Sequence, residues 1–494
     1  MSTNSEQIVQ QIRAEFEALL QFVTGLAPSR KVSAYAMERG LLQHLLRLGQ
    51  MLLQLYFVEA ASRCRPDWVQ DAKTNPLPYH SQKPRTYLSI FGKVRFARSY
   101  YYREGLRGQC PVDAALNLPV KGGSDLLRQW REQFAVVQAY HEVGPLLESV
   151  LGPQAFSTRA LQEQIGEDAA LVKAFYAQKE PPQPNHQATI LVVQADGKGV
   201  PMRKQASVTP KARLKKGEKP GQKKEAVVTS VYTIAASVRT PQEVATRFFK
   251  QATEQEPIPS RRPGPHNKQV FATLEGKEAA LAFTAHQVHQ QEGTHICHRV
   301  ALTDGSEALQ QRVAAQFPTF TRVLDFVHAT EYLWEAANAL LGEGSESRTD
   351  WVVTHSLQML SGQTLALIAR LRQLAAEPGR RSGQKKVLLK VAAYYAKNQA
   401  FMRYDQYLAW GWPIATGVIE GACRHLVKDR CELSGMRWSQ PGAEALLGLR
   451  SVAENGDWEA FHIFRRNERQ RRFYGALPSQ EESSTSEPIH CLAA

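Results

Sequence analysis

Ile190-Leu191-Val192-Val193-Gln194-Ala195-Asp196-Gly197 and Arg299-Val300-Ala301-Leu302-Thr303-Asp304-Gly305 carry the reading of this chain. Each is a short apolar run rich in β-branched residues, followed at once by Asp-Gly. A run without polar alternation reads as a strand buried on both faces. An acid beside glycine at the end of such a strand is exposed where backbone can bend close to a ligand. Either Asp-Gly pair alone is a common turn. Their joint placement is what gives them weight.

Working outward, residues 226–234 and 269–274 read as the second and third strands, and 277–291 as a helix. Residues 299–303 are then the fourth strand, 307–317 a helix, 321–324 a fifth strand and 331–341 a helix. Three strands, helix, strand, helix, strand, helix is the order of a ribonuclease-H-like domain, a comparison of fold alone. In such a sheet the first and fourth strands are neighbours, so Asp196 and Asp304 would share hard divalent cations. Mg2+ prefers oxygen ligands and keeps waters, so few carboxylates suffice. A metal pair about 4 Å apart activates an attacking oxygen and stabilises a leaving one in an in-line phosphoryl displacement.

A third acid has to come from a later helix. In Thr416-Gly417-Val418-Ile419-Glu420, Thr416 is expected to cap a helix with Glu420 in its first turns. Arg424 and Lys428 follow on the same face and would hold DNA phosphates beside a metal ligand. The alternative is a surface Glu-Arg pair. Asp429 and Glu432 compete for the same role, and the residues alone do not choose among the three.

Residues 345–412 are helical throughout, which reads as an all-helical insertion. Lys179-Glu180-Pro181-Pro182-Gln183-Pro184-Asn185 reads as the main domain boundary. Before it, residues 6–62 read as two helices. The second carries leucines at helical spacing, as a core helix or a dimer seam. Tyr87 to Phe96 alternates around Gly92-Lys93 as a hairpin. It runs into Arg98-Ser99-Tyr100-Tyr101-Tyr102-Arg103, suited either to nucleic acid or to an ordinary half-buried strand. Residues 124–176 return to helix period. Gly152-Pro153, then Ser157 as N-cap and Arg159 exposed, resembles helix-turn-helix geometry, a pattern also common by chance.

The expected organisation is therefore α/β. Residues 1–80 are N-terminal helices that serve dimerisation, and 81–178 a hairpin with a helix-turn-helix-like DNA-binding region. Residues 186–344 are the first part of the ribonuclease-H-like core, 345–412 the insertion, 413–475 the final core helices with the third acid, and 476–494 a disordered tail.

Composition bounds the rest. The chain has 494 residues, 43% apolar and 22% charged, values of a folded globular protein. A net charge of +14 favours a polyanionic partner, most commonly nucleic acid. Basic residues concentrate between the first two strands, at Lys211, Arg213, Lys215, Lys216, Lys223 and Lys224. Such a run is usually a solvated face, but this one would project beside the acids and suits salt-sensitive contact with a DNA backbone. There is no long apolar run and no secretory pattern at the N-terminus. The six cysteines form no Cys-x-x-Cys pair, so a reducing cytoplasm is expected. His295, Cys297 and His298 lack ligands from a second segment and read as a surface loop. The prenylation-like Cys491-Leu492-Ala493-Ala494 has acidic, not polybasic, neighbours and reads as chance.

Several blocks carry a resemblance. Leu302-Thr303-Asp304-Gly305-Ser306, Phe317-Pro318, Leu324-Asp325-Phe326-Val327-His328 and Glu331-Tyr332-Leu333-Trp334 look like Mutator-type DDE transposases. More closely, they resemble bacterial insertion-sequence transposases of the ISKra type. Gly417-Val418-Ile419-Glu420, Gly435-Met436-Arg437-Trp438, Phe91-Gly92-Lys93-Val94 and Cys110-Pro111-Val112-Asp113 fit the same pattern, over roughly residues 85–470. The resemblance implies that Asp196, Asp304 and Glu420 bind two Mg2+ or Mn2+ ions. It implies that Asp325 and His328 support the site, and that residues between Asp304 and Glu420 form an insertion domain. Arg437 would contact DNA, and Trp438 would either stack on a base or be a core aromatic. The cysteines that relatives carry around the hairpin are missing apart from Cys110, so no N-terminal zinc is expected.

The expected activity is metal-dependent strand cleavage and strand transfer at the ends of an insertion sequence. The expected partners are double-stranded DNA and a second copy of the chain, or a higher oligomer, in a bacterial nucleoid. The alternatives are a catalytically silent DNA-binding derivative and a structure-selective nuclease of the same fold.

Overall fold

The computed structural model describes residues 3–26, 32–70, 75–121, 123–152, 157–203, 223–249 and 263–475. The basic residues Lys211, Arg213, Lys215 and Lys216, and the tail 476–494, lie outside the described residues. The chain divides into two compact units, residues 1–168 with 458–494, and residues 169–457. The division falls before the Pro-rich stretch expected to mark it. That stretch belongs to the second unit. Asn267 Nδ2 donates to the Gln183 carbonyl at 2.9 Å, and Lys179 pairs with Asp457 at 2.6 Å. Residues 458–475, expected with the core, fall in the first unit.

The first unit opens with α1 (Thr3–Leu26) and α2 (Ala34–Arg63). The Ser33 hydroxyl caps α2 by accepting from the Ala36 amide. β1 (Trp68–Gln70), β2 (Pro76–Ser89) and β3 (Gly92–Tyr101) form an antiparallel sheet in that order. Ser89 pairs with Gly92, so Ile90-Phe91 forms the turn and Gly92, expected within it, begins β3. Gly92 has φ +104°, a conformation that favours glycine, and the turn lies two residues earlier than expected. Phe57 of α2 stacks on Phe96 of β3 at 4.7 Å, at the centre of a small core with Val94, Val112 and Leu118. Leu42, Leu45, Leu52 and Tyr56 of α2 remain exposed.

α3 (Pro111–Ala115), α4 (Asp125–Ala135), α5 (Tyr140–Leu151) and α6 (Thr158–Ala169) follow. Ser157 accepts from the Ala160 amide, as its capping role requires. Pro153, in the turn of the expected helix-turn-helix, is outside the described residues.

The second unit contains α7 (Val172–Gln178), β4 (Ile190–Pro201), β5 (Lys223–Ile234), α8 (Pro241–Phe249), β6 (His266–Thr273) and α9 (Lys277–Gln291). It continues through β7 (His298–Thr303), α10 (Glu307–Gln316), β8 (Thr321–Leu324) and α11 (Phe326–Leu341). The five strands make one mixed sheet in the order β6-β5-β4-β7-β8. β4 pairs antiparallel with β5 and parallel with β7, and β7 pairs parallel with β8. The first and fourth strands of this unit are therefore neighbours.

Alternation along β4 assigns the two faces. Leu191, Val193 and Ala195 join a core with residues of α9 and α10. Ile190 and Val192 face the other way, into a larger core. That core includes α11 and the helices α12 (Ser347–Leu360), α13 (Thr364–Ala376), α14 (Ser382–Asn398) and α15 (Tyr404–Ala409). Residues 345–412 are thus helical as expected, and they share one continuous apolar core with the sheet. The chain then runs through α16 (Gly417–Ala422), a π-helical stretch Cys423–Lys428, α17 (Asp429–Cys431) and α18 (Gln440–Glu454).

α19 (Trp458–Arg469) belongs to the first unit. Arg465 and Arg469 both bind Asp125 of α4, at 2.7 and 2.8 Å. No helix of the described residues is long and apolar enough to cross a membrane.

Candidate active site

The parallel ladders bring three acids to neighbouring strand ends. Gln194 pairs with Leu302, the last pair of that ladder, and Asp196 and Asp304 each follow it by two residues. Thr303 pairs with Leu324, which brings Asp304 level with Asp325. β4 does not end at Asp196, as the apolar run suggested. It continues to Pro201 against β5, where Asp196 lies opposite Val228, while the pairing with β7 stops at Gln194. Asp196 therefore sits where two strands part, on a rigid element. By alternation it shares the face of Val192 and Gln194, toward the side on which α11 and α16 pack.

Each acid is held locally. Asp196 Oδ1 accepts from the Gly197 amide at 2.6 Å, and its Oδ2 accepts from the Cys423 thiol at 3.4 Å. Asp304 Oδ1 accepts from the Ser306 amide at 2.9 Å, and Tyr394 Oη donates to the Asp304 carbonyl at 3.0 Å. Both carboxylates are part-exposed.

Asp325 has a structural task. It is fully buried and caps α11, accepting from the amides of Val327 and His328. It also accepts from the Thr416 amide at 3.0 Å, which ties the start of α16 to the start of α11. Thr416 stands at the N-cap of α16, as expected, but its hydroxyl makes no capping bond to that helix. Burial raises the Asp325 carboxyl above its usual range, although these hydrogen bonds oppose the shift. His328 Nδ1 lies 3.0 Å from Glu331 and its Nε2 4.0 Å from Asp325. Burial opposes its protonation, but Asp325, Glu331 and Asp304 outweigh it and raise the imidazole.

Glu420 is exposed in the first turn of α16. A second tie fixes this helix to β4. Gln194, buried in the middle of the strand, accepts from the Ile419 amide at 3.0 Å. Its amide nitrogen donates to Tyr232 Oη at 3.1 Å. The strand residue two before Asp196 thus holds the helix residue one before Glu420. Desolvation, followed by the negative charges of Asp325 and Asp196, raises the Glu420 carboxyl, while His328 opposes.

The competing acids are engaged elsewhere. Glu432 pairs with Lys223 at 2.6 Å, and this hydrogen bond holds its carboxyl below the usual range. Asp429 lies 3.2 Å from His425 and 3.5 Å from Arg424. Glu420 is the acid that shares the electrostatic environment of Asp196.

The remaining expected residues are dispersed. Arg424 and Lys428 are exposed, but the π-helical turn between them widens the spacing, so the expected α-helical alignment is not kept. Arg437 is exposed, Lys223 is occupied by Glu432, and Lys224 is part-buried on β5. Arg159 is exposed on α6 and pairs with Glu163. Trp438 is 7% exposed, and its indole N–H donates to the Cys431 carbonyl at 3.0 Å. Arg430 lies over its ring at 5.0 Å, so Trp438 occupies the position of a core aromatic, not that of a base-stacking one.

Sequence reasoning missed Gln194, Cys423 and Tyr394. Only Gln194 left a trace, as the lone amide in an apolar run.

Among the described residues, no three His, Cys, Asp or Glu side chains already converge as a metal-ligand set. The donor chemistry nevertheless fits a hard divalent cation. The donors are carboxylate oxygens, two of them following adjacent strands, and the third acid is raised by burial and then by its negative neighbours. No protein-family model matches the chain, and no curated protein matches it.

Proposed function

We propose that the chain is a DDE-type transposase that cleaves DNA strands at the ends of a mobile element and joins them to target DNA. The observation that carries this reading is that Asp196 and Asp304 each follow the parallel ladder of β4 and β7 by two residues, while Gln194 ties the start of α16, with Glu420, to β4. A central strand flanked by an antiparallel and a parallel neighbour, in the order third-second-first-fourth-fifth, supports a ribonuclease-H-like core. The helices of residues 345–412 would be its insertion. The reaction is in-line displacement at phosphorus. Water attacks, the P–O3′ bond breaks, and the 3′-oxygen leaves with a proton as a hydroxyl. That hydroxyl then attacks a target phosphodiester, forming one P–O bond as another breaks.

Asp196, Asp304 and Glu420 would hold Mg2+ or Mn2+, which when bound would activate the attacking oxygen and stabilise the leaving one. The protein's own contribution is positional. Gln194 and Asp325 anchor the first turn of α16, so Glu420 is set against the strand ends by two buried hydrogen bonds. His328 lies beside Asp325 and Glu331, whose negative charges favour its protonated form against burial, at acids that a phosphate has to approach. The exposed Arg424, Lys428 and Arg437 are placed to meet the backbone of double-stranded DNA. Exposed Leu42, Leu45, Leu52 and Tyr56 on α2 support a homodimer, since two element ends have to be held together.

The test is cleavage of a duplex carrying the inverted ends that flank the gene, with Mg2+ or Mn2+ present. Asp196→Asn, Asp304→Asn and Glu420→Gln should each abolish nicking while duplex binding survives. Full cleavage by any one of them overturns the assignment.

A further inference from the structure

The first unit, residues 1–168 with 458–494, contains a cleft of about 1090 Å3. Its lining is strongly basic. Lys83, Arg107, Lys121, Arg471 and Arg472 are exposed around it. Arg85 and Arg98 lie deeper, and both pair with Asp113, the acid among the described lining residues. That single carboxylate is shared by two guanidinium groups, so the cleft keeps a large excess of positive charge. Burial holds the Arg85 and Arg98 guanidinium groups below their usual range, and the charge of Arg85 adds to this at Arg98.

Aromatic rings stand among the cations. Phe473 lies near Arg107 and Arg472, whose guanidinium carbons are 5.9 and 5.2 Å from its ring centre. Tyr100 lies beneath Lys83, whose ammonium is 3.2 Å from the ring centre. Its hydroxyl end presses on Gly108, where a Cβ would be only 2.1 Å away. Glycine there lets the loop close over the tyrosine.

Cations tracking a groove, with aromatic faces among them, are what a single strand requires. Phosphates meet the charges and bases stack on the rings. A duplex presents its bases inside grooves that are read by a projecting helix or ribbon. A concave cleft of this size suits a few nucleotides of a single strand. We propose that this cleft binds an unpaired polynucleotide strand, with its phosphates against Lys83, Arg107, Lys121, Arg471 and Arg472 and a base on Phe473. The proposal concerns the first unit and does not rest on the carboxylate reading.

The test uses the full chain with chelator present, so that no metal-dependent cleavage contributes. Oligo(dT) of about ten nucleotides carrying 4-thiothymidine, and the matching thio-substituted oligo(U), are bound and irradiated, and the cross-linked peptides are identified. Cross-links from either strand on peptides containing Tyr100 or Phe473 are expected, and the two arms distinguish DNA from RNA. The double variant Arg471→Glu/Arg472→Glu should weaken oligonucleotide binding at least tenfold. It should also lower the slope of log affinity against log salt by roughly 1.4, as expected for two lost single-strand phosphate contacts. Both arginines are exposed, so the fold should survive, and Lys121→Glu gives an independent check. Cross-links confined to residues 169–457, or a matched duplex displacing the strand from these peptides as well as unlabelled single strand does, would overturn the proposal.

Discussion

Gln194 Oε1 accepts the Ile419 amide proton at 3.0 Å, joining the strand of Asp196 to the helix of Glu420 across 225 residues of sequence. The same amide group also engages Tyr232 and Ser230. Gln194→Met keeps the bulk and removes the acceptor. It should cost about 1–3 kcal/mol in urea unfolding, because buried donors lose their partner. Strand cleavage should fall by roughly 10–100-fold through kcat, as small misplacements of a reacting group do. Duplex affinity should stay unchanged. A proportional loss of binding and cleavage would instead mark a general folding defect.

Glu432 and Glu420 make a paired comparison. Glu432 is committed to Lys223, whereas Glu420 faces Asp196 and Asp325. Glu432→Gln removes one surface ion pair, worth about 0–1 kcal/mol, and should leave cleavage within a few-fold of the parent. Glu420→Gln should leave none. Equal loss in both variants would return the third acid to open competition.

Gly305 holds the loop after Asp304 with φ +86°. A Cβ there would stand 2.6 Å from Tyr394 Oη and 2.9 Å from Leu324 Cδ1. Gly305→Ala should therefore cost at least the roughly 1–2 kcal/mol of a left-handed L-residue, with the steric conflict added. Displacing Tyr394 also releases its bond to the Asp304 carbonyl, so activity should fall with stability. Tyr394→Phe in the same background removes the clashing hydroxyl and should recover part of the stability, measured as unfolding midpoint, but not the nicking rate, because the bond to the Asp304 carbonyl stays lost.

His462 is fully buried in the first unit, with Glu132 at 3.7 Å. Burial, then the positive charge of Arg465, holds its imidazole down at about 4, while Asp168 and Glu459 oppose. Above pH 6.5 the imidazole is neutral whether folded or unfolded, and contributes nothing. Between pH 6.5 and 4 the unfolded chain takes up a proton that the folded unit refuses, so stability is lost as pH falls. Between pH 7 and 5 this amounts to about 2 kcal/mol. His462→Leu removes the titration, so its urea midpoint should fall less than the parent's over that window. Parallel declines in both proteins would exclude His462 as the acid-sensitive group.

Much of the second unit was legible because its strands are unbroken apolar runs and its helices carry clear periodicity. α9 spans Lys277–Gln291, as the periodicity indicates. α11 begins earlier than expected, at Phe326, because Asp325 is its cap and Asp325-x-x-His328 is a helix start. Asp196 and Asp304 were legible since register follows from adjacent parallel strands. Glu420 was not separable from Asp429 and Glu432 on sequence alone. The distinction lies in Lys223 and Gln194, which come from strands some two hundred residues away. Trp438 was ambiguous for the same reason: its partner, the Cys431 carbonyl, is local, but its burial is tertiary.

The first unit is assembled from both ends of the described chain, with Arg465 and Arg469 of α19 closing on Asp125, and Arg469 on Asn117. On the ribosome, residues 1–168 are made first and must wait for everything up to Asp457 before their last helix exists. At ordinary synthesis rates of about 5–20 residues per second, that wait is roughly 15–60 s. During it Asp125 has no arginine from α19, and the basic cleft lacks Arg471, Arg472 and Phe473. The intervening unit is made of one continuous stretch, residues 169–457, and is free to fold once that stretch is made, while the first unit still lacks its last helix. Synthesis order therefore sets the order in which the two units mature: the carboxylate-bearing unit first, and the unit of residues 1–168 with 458–494 last.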